Sequence, residues 1–351
     1  MQCILVGYGS AARGIHRPLL QAAGIMPVAI ITNHDERRLQ AATDFPQARI
    51  LPSLEAALEL FDAQTAPLVV VVSANRVHAE HARQALLADR DVVVDKPFTL
   101  NFEQAQDLAR LAKVQRRGIH VFHNRRWDAD FLSLRALLNQ GRLGTLSLAT
   151  LRFDRFAPQP KVRWRETPGE GAGLLYDLGP HLIDQALQLW GQPLALNAHL
   201  LQQRANAQVD DAFEITFYYE KACVHLGASC LVPGGGVASG LPRYLVHGDQ
   251  ATWMKTGFDP QEALLKAGQL PGSLADWGQE DEAACGVLID KDGKRHLTPP
   301  GQGQWPVFYQ GVKAYIQGSS LPPVSLDSVL EVMKMLDAAR AAAETGQKIT
   351  F

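Results

Sequence analysis

The run Gln2-Cys3-Ile4-Leu5-Val6, followed at once by Gly7-Tyr8-Gly9-Ser10-Ala11-Ala12, decides how this chain is read. Five residues rich in strand formers pass without a linker into a GxGxxG/A pattern, with alanine in the third place. The first glycine permits a tight turn and the second lets backbone approach a pyrophosphate. A small third residue lets the following helix pack close to its strand. Residues 11–23 have helical composition, so the N–H groups of that helix start would face phosphates. A glycine string alone is weak evidence. Its place between an N-terminal strand and a helix predicts a dinucleotide site at Gly7, Gly9, Ser10, Ala11 and Ala12.

The alternation continues outward from that point. Strands are expected at 28–32, 49–51, 68–72, 92–94 and 119–122, with helices at 35–43, from Ser53, and at 77–88 and 101–116. Valine runs with no polar alternation mean that both faces are covered, as in a parallel sheet with helices on either side. This is a Rossmann-type, doubly wound α/β domain over residues 1–121. Beyond Phe122 the texture turns to strands at 146–154, 211–220, 222–229 and 245–255, with helices at 131–139, 181–190, 305–317 and 325–345. That pattern predicts an α+β domain over 122–351, an open and mainly antiparallel sheet with helices on one face. Residues 233–240 read as a flexible glycine-rich loop and 260–282 as loop-rich.

Size and charge agree with two domains. At 351 residues the chain exceeds one ordinary core, and 46% hydrophobic with 20% charged residues is a globular composition. Lys and Arg number 34 against 36 Asp and Glu, so no net field favours nucleic acid or an anionic membrane. The first residues lack the basic region of a signal peptide, and the strongest apolar run, 68–72, is too short to span a bilayer. The cysteines Cys3, Cys223, Cys230 and Cys285 show no CxxC spacing. Reduced thiols in a cytoplasmic protein are expected, with no metal site.

Chemistry is expected beyond the carboxyl ends of the strands. The loops there carry Ser73, Asn75 and His78, then Asp95-Lys96-Pro97, then Asn124-Arg125-Arg126-Trp127-Asp128. The carboxylate that would hold an NAD ribose about twenty residues past the glycines is missing. Thr32, Asn33 and His34 stand there, although Asp35 is near, and His34, Arg37 or Arg38 could partner a phosphate. A 2′-phosphate is then tolerated, so the reading leans to NADP and leaves NAD open. The stretch Gly171 to Gln185 adds Asp177, His181 and Asp184. Pro180 suits a first helical turn, which places His181 at the positive end of a helix beginning near it. A neutral ring able to accept a proton is then favoured, with Asp177 folding back from the preceding loop to orient it. The plainer alternative is an apolar helix whose Asp and His cap its start.

In order and spacing, the glycine loop, Asp95-Lys96-Pro97, Asn124 to Asp128 and Asp177-x-x-x-His181 resemble the Gfo/Idh/MocA family of oxidoreductases. The strings 94–99, 122–128 and 176–181 look closest to its scyllo-inositol dehydrogenase-like members. The resemblance implies hydride transfer between NAD(P) and a CH–OH group of a polyol or sugar, scyllo-inositol among them. It implies His181 as the base, Asp177 as its orienting partner and Lys96 on the reacting oxygen. It further implies polyol contacts from Asn124, Arg125 and Asp154, and a final helix that packs back towards the first domain. Asp95 stands where the family more often has Glu, and Ser73-Ala74 replaces a frequent Thr-Pro. A non-catalytic NAD(P) sensor and a glycosidase with retained NAD share the fold; an intact Lys96, Asp177 and His181 argues against the sensor. Apolar side chains on both sides of strands such as 213–219 predict a homodimer or homotetramer built sheet to sheet.

Overall fold

The structure is a computed structural model and describes residues 1–235 and 241–351. Residues 236–240 of the expected flexible loop lie outside it. The chain divides into two compact units. One holds Met1–Asn124, Glu262–Trp277 and Trp305–Met333, and the other holds Arg125–Gln261, Gly278–Gln304 and Lys334–Phe351.

The first unit opens with β1 (Gln2–Val6), a helix whose first turns, Ala12–His16, are π-wound, and its continuation α1 (Arg17–Ala22). Then follow β2 (Met26–Ile31), α2 (Asp35–Asp44), β3 (Arg49–Leu51), α3 (Leu54–Leu60) and β4 (Leu68–Val71). After these come α4 (His78–Leu87), β5 (Asp91–Val94), α5 (Phe102–Gln115) and β6 (Ile119–Val121). All six strands pair in parallel in the order β3-β2-β1-β4-β5-β6. Strands β4 and β5 are wholly buried, which is why their sequences show no alternation. Ser53 caps α3 by accepting from the Ala56 N–H, and Asn101 caps α5 by accepting from the Gln104 N–H. The strand order reverses between β1 and β4, where such sheets bind ligands.

One buried group in this sheet gives the unit a pH dependence. His120 on β6 is fully buried, its ring lies edge-on to Tyr315 at 4.8 Å, and neither ring nitrogen has a hydrogen-bond partner among the described residues. Burial pushes its pKa down to about 4. An unfolded histidine takes a proton near pH 6.5, whereas this one resists until about 4. Stability is therefore unaffected above pH 6.5 and falls as the pH drops from there towards 4, by on the order of 3 kcal/mol. Urea midpoints of wild type and His120→Leu between pH 7.5 and pH 4.5 check this. The acid loss should shrink in the variant, and equal losses in both proteins would refute the assignment.

The second unit begins with α6 (Ala129–Asn139), β7 (Leu146–Arg152), α7 (Leu174–Trp190), β8 (Ala195–Leu201), β9 (Ala212–Tyr218) and β10 (Cys223–Ser229). It continues through β11 (Pro242–Gly248) and β12 (Ala251–Thr256). Helix α8 (Gln261–Lys266) falls almost wholly to the first unit. Strands β13 (Gly286–Asp290) and β14 (Arg295–Thr298) then return to the second. Helix α9 (Pro306–Ile316) belongs to the first unit, where it packs on α1. Helix α10 (Leu326–Thr345) spans both units, and β15 (Ile349–Thr350) closes the chain. Among the described residues, nine strands form one sheet in the order β14-β13-β12-β11-β7-β10-β9-β8-β15, antiparallel except for β7 beside β10. Helix α7 packs on β9 and β10.

Three sequence expectations change here. The single strand expected at 245–255 is a hairpin that turns at Asp249 and Gln250; Asp249 ties the turn to the chain before β7 by accepting from the Thr145 N–H, and Gly248 passes where a Cβ would meet the Leu143 carbonyl oxygen. Strand β9 alternates Phe213, Ile215 and Phe217, all buried, with Glu214, Thr216 and Tyr218, so its far side is not an apolar face. The largest change concerns α7. It starts at Leu174 rather than at Pro180, because Gly173 adopts φ +97° and Asp210 supplies the cap. The Asp210 carbonyl accepts from the Leu174 N–H at 2.9 Å and its carboxylate from the Leu175 N–H at 2.7 Å. Pro180 is accommodated inside the helix.

Candidate active site

In the first unit the site is built at the carboxyl ends of β1, β2, β4 and β5. Gly7 has φ +94°, and a Cβ there would stand 2.5 Å from the Val72 carbonyl oxygen, so the crossing of β1 and β4 admits glycine alone. The helix begins at Ser10, and the Arg13 N–H already donates to the Gly9 carbonyl at 2.9 Å. The N–H groups of Ser10, Ala11 and Ala12 precede that first bond and so have no intrahelical acceptor. The second glycine leaves the backbone bare, and the nearest group above it is the Arg37 guanidinium, 4.0 Å from where a Cβ would stand. These features fit a dinucleotide pyrophosphate.

At the end of β2, Thr32 is buried while Asn33 and His34 are exposed. Asp35 and Glu36 lie in the first turn of α2. Asp44, at the other end of that helix, accepts from Tyr8 at 2.7 Å and pairs with Arg13 at 2.8 Å and Arg17 at 2.6 Å. Arg37, from α2, stands over Gly9, and the three residues that follow β2, Thr32, Asn33 and His34, include no carboxylate.

The loops after β4 and β5 are tied to each other. His78 is fully buried: its Nδ1 lies 2.8 Å from the Pro97 carbonyl oxygen and its Nε2 3.1 Å from that of Ser73. Burial lowers its pKa. The ring thus holds two loops in place from behind. Ser73 Oγ is 3.1 Å from His81 Nδ1, and Asn75 is buried in the turn Asn75–Val77. The Lys96–Pro97 peptide is cis, and the Lys96 N–H donates to Asp95 Oδ1 at 2.8 Å. Burial opposes charge on Asp95, but His16 at 3.7 Å, Lys96 and His78 outweigh it and hold the carboxyl below the usual range. His16 is fixed in turn by Tyr309, 2.6 Å away. The Asp that departs from the family's usual Glu therefore anchors the backbone of Lys96.

In the second unit Asp177 and His181 stand one turn apart on the same face of α7, with Asp184 following on that face. His181 is eight residues into the helix, not in its first turn. The helix dipole therefore does not favour a neutral ring there. Asp177 takes the first-turn place instead and pairs with Arg165 at 3.4 Å. Asp184 is gripped by Arg126 through Nε at 2.9 Å and Nη2 at 2.6 Å, both residues buried. That makes Asp184 part of the framework beneath the pair.

Of the polyol-contact candidates, Asn124 is buried at the end of the first unit. Arg125 donates to Asp128 at 3.2 Å, lies 4.7 Å over the Phe153 ring, and its carbonyl accepts from Gln185 at 2.9 Å. Asp154 accepts from Arg152, whose guanidinium also holds Glu214 at 2.9 Å. Two residues with local roles escaped the sequence reading, Arg165 and Asp210. The pair Arg163 and Arg165 ahead of a glycine-rich stretch was the available signal for the first; nothing local marks the second. Among the described residues no cluster of His, Cys, Asp or Glu is placed to hold a metal ion, and no helix is long and apolar enough to cross a membrane.

A parallel sheet in this strand order, with a glycine turn and helix start at its reversal point, defines a dinucleotide-binding protein of the Rossmann class. The chain belongs to the Gfo/Idh/MocA family: residues 1–123 match the oxidoreductase family's NAD-binding Rossmann fold and residues 131–254 match the GFO/IDH/MocA C-terminal domain. It is 37% identical to YdgJ of Escherichia coli (strain K12), an uncharacterised oxidoreductase, over 97% of this chain and 95% of that one. It is 32% identical to the scyllo-inositol 2-dehydrogenase (NADP(+)) IolW of Bacillus subtilis (strain 168), over 98% and 94% of the two chains. Among solved structures it resembles yvaA of Bacillus subtilis, with a TM-score of 0.91 and 31% identity over 100% of this chain and 98% of that one.

Proposed function

We propose that this oxidoreductase moves a hydride between NAD(P) and a secondary alcohol or ketone of a polyol or sugar. The observation that carries the reading is Asp177 and His181 on one face of α7, in a chain that also holds Lys96 directly after the buried strand β5. Removing hydride from a secondary alcohol needs a base and a cation at one oxygen, and these residue types supply both. His181 takes the hydroxyl proton, Asp177 orients the ring, and Lys96 holds the oxygen and stabilises charge developing on it. The nicotinamide supplies the hydride acceptor when bound. Similarity to a scyllo-inositol 2-dehydrogenase favours a cyclic polyol as the first substrate to try. The test is growth of reduced-nicotinamide absorbance with a panel of polyols and sugars; no turnover across the panel would sink the reading.

For the cofactor, NADP is favoured. Arg37 over the second glycine and the missing carboxylate after β2 suit a 2′-phosphate, and IolW is named as NADP-dependent. Arg37→Ala should weaken NADP binding about tenfold, roughly 1.4 kcal/mol, and leave NAD binding unchanged. Titration calorimetry with both dinucleotides decides it. An equal loss for both would assign Arg37 to the pyrophosphate or the fold instead.

A further inference from the structure

We propose that Arg165 is the positioning residue of the Asp177–His181 pair, fixing the carboxylate as an anion so that the substrate's proton goes to His181. The proposal rests on the reading above. Within the second unit Arg165 Nη1 stands 3.4 Å from Asp177 Oδ1, and the Asp177 side chain is only 13% exposed. Twelve residues separate the two in sequence, but both are fastened to the start of α7. The Gly173 N–H donates to the Arg165 carbonyl at 2.9 Å, and Gly173 is the residue directly before the first helical turn. The Arg165 guanidinium also lies 5.2 Å over the Trp164 ring, so the side chain is steadied along its length.

Charge around Asp177 shows why a cation is needed there. The same small cavity is lined by Arg163, Glu166, Arg204, Asp210, Asp211 and Cys230. Two of these cations are committed to carboxylates: Arg204 holds Asp211 at 2.8 Å and Glu166 at 3.0 Å, and Arg163 holds Glu166 at 2.6 Å. Asp210, directly behind the helix start, has its pKa raised by burial. Arg165 is a cation aimed at Asp177 from within this cavity. Opposite charge at this distance favours the ionised carboxylate, whereas the neighbouring acids disfavour it. With Asp177 protonated, His181 would lose an anionic partner and the proton would have a second resting place.

The experiment follows kcat against pH for alcohol oxidation with NADP, using scyllo-inositol or the best member of the panel. The proteins compared are wild type, Arg165→Ala, Arg165→Lys, Asp177→Asn and the double variant Arg165→Ala/Asp177→Asn. Arg165→Ala should lower kcat about tenfold and move the acid limb up by about one pH unit. Lysine should restore most of the limb, and NADP affinity should stay the same. In the Asp177→Asn background Arg165→Ala should cost nothing further. A wild-type limb in Arg165→Ala, or an additive loss in the double variant, overturns the proposal while leaving the reading of Asp177 standing. A wild-type kcat in Asp177→Asn overturns both. Independently of turnover, carboxyl carbon NMR of labelled aspartate should show the Asp177 titration at higher pH in Arg165→Ala; an unmoved titration refutes the ion pair's role.

Discussion

His181→Ala should lower kcat by roughly 10²–10⁴, the usual worth of a positioned acid–base group, while NADP binds as before. The two halves of this expectation come from different parts of the chain. His181, the proposed proton acceptor, sits in the middle of α7, in the second unit, where the ring is 4% exposed and its neighbour one turn back is a carboxylate. The candidate phosphate contacts, from Gly7 to Ala12 and at Arg37, all lie in the first unit. Asp177→Asn should cost less than His181→Ala, because it misplaces the ring without removing it. Single-turnover absorbance with saturating NADP separates loss of chemistry from loss of binding. Near-normal kcat in His181→Ala would move the proton acceptor to Lys96 or to a water. The ring would then be a helix residue and nothing more.

The parallel sheet was legible because its determinants are local. Val69 to Val71 and Val92 to Val94 are buried on both faces, and a fully covered strand writes itself as an unbroken apolar run. The glycine loop was legible for a similar reason: its role is a backbone role, fixed by what Gly7 cannot carry. The start of α7 was not. Pro180 looks like a first-turn residue in any short window, but the true start is capped by Asp210, whose carboxylate reaches the Leu175 N–H from 35 residues downstream. The same separation hid Arg165, whose partner lies on the far side of a glycine-rich stretch. Strands β8, β13, β14 and β15 were missed because they are short or half-exposed and owe their pairing to neighbours distant in sequence. Asp177 and His181 share a face because α7 begins ahead of both, at Leu174; with a start at Pro180, Asp177 would lie in the loop before the helix.

Lys96→Ala should damage binding and turnover together, with kcat down by roughly 10²–10³ and KM for the alcohol raised. An ammonium that touches the reacting oxygen is felt in the ground state, and more strongly as negative charge grows on that oxygen. The fold should tolerate the change. The loop is held by backbone and by neighbours: the residue-96 N–H on Asp95, the Pro97 carbonyl facing His78, and His16 beside the Asp95 carboxylate. These three contacts hold the loop without the ammonium, whose charge does help to keep the Asp95 carboxyl low, so the melting temperature should fall modestly with the fold kept. Lys96→Arg should rescue poorly, because a planar guanidinium cannot replace a compact ammonium at one oxygen. His181→Ala/Lys96→Ala should lose less than the product of the two single losses if both residues serve one oxygen, since groups acting as a unit are not additive. Independent, fully multiplicative losses would show that the two residues act on different atoms. A wild-type kcat/KM in Lys96→Ala would remove the lysine from the mechanism altogether, and the developing charge would need another donor, with Asn124 and Arg125 the next to test.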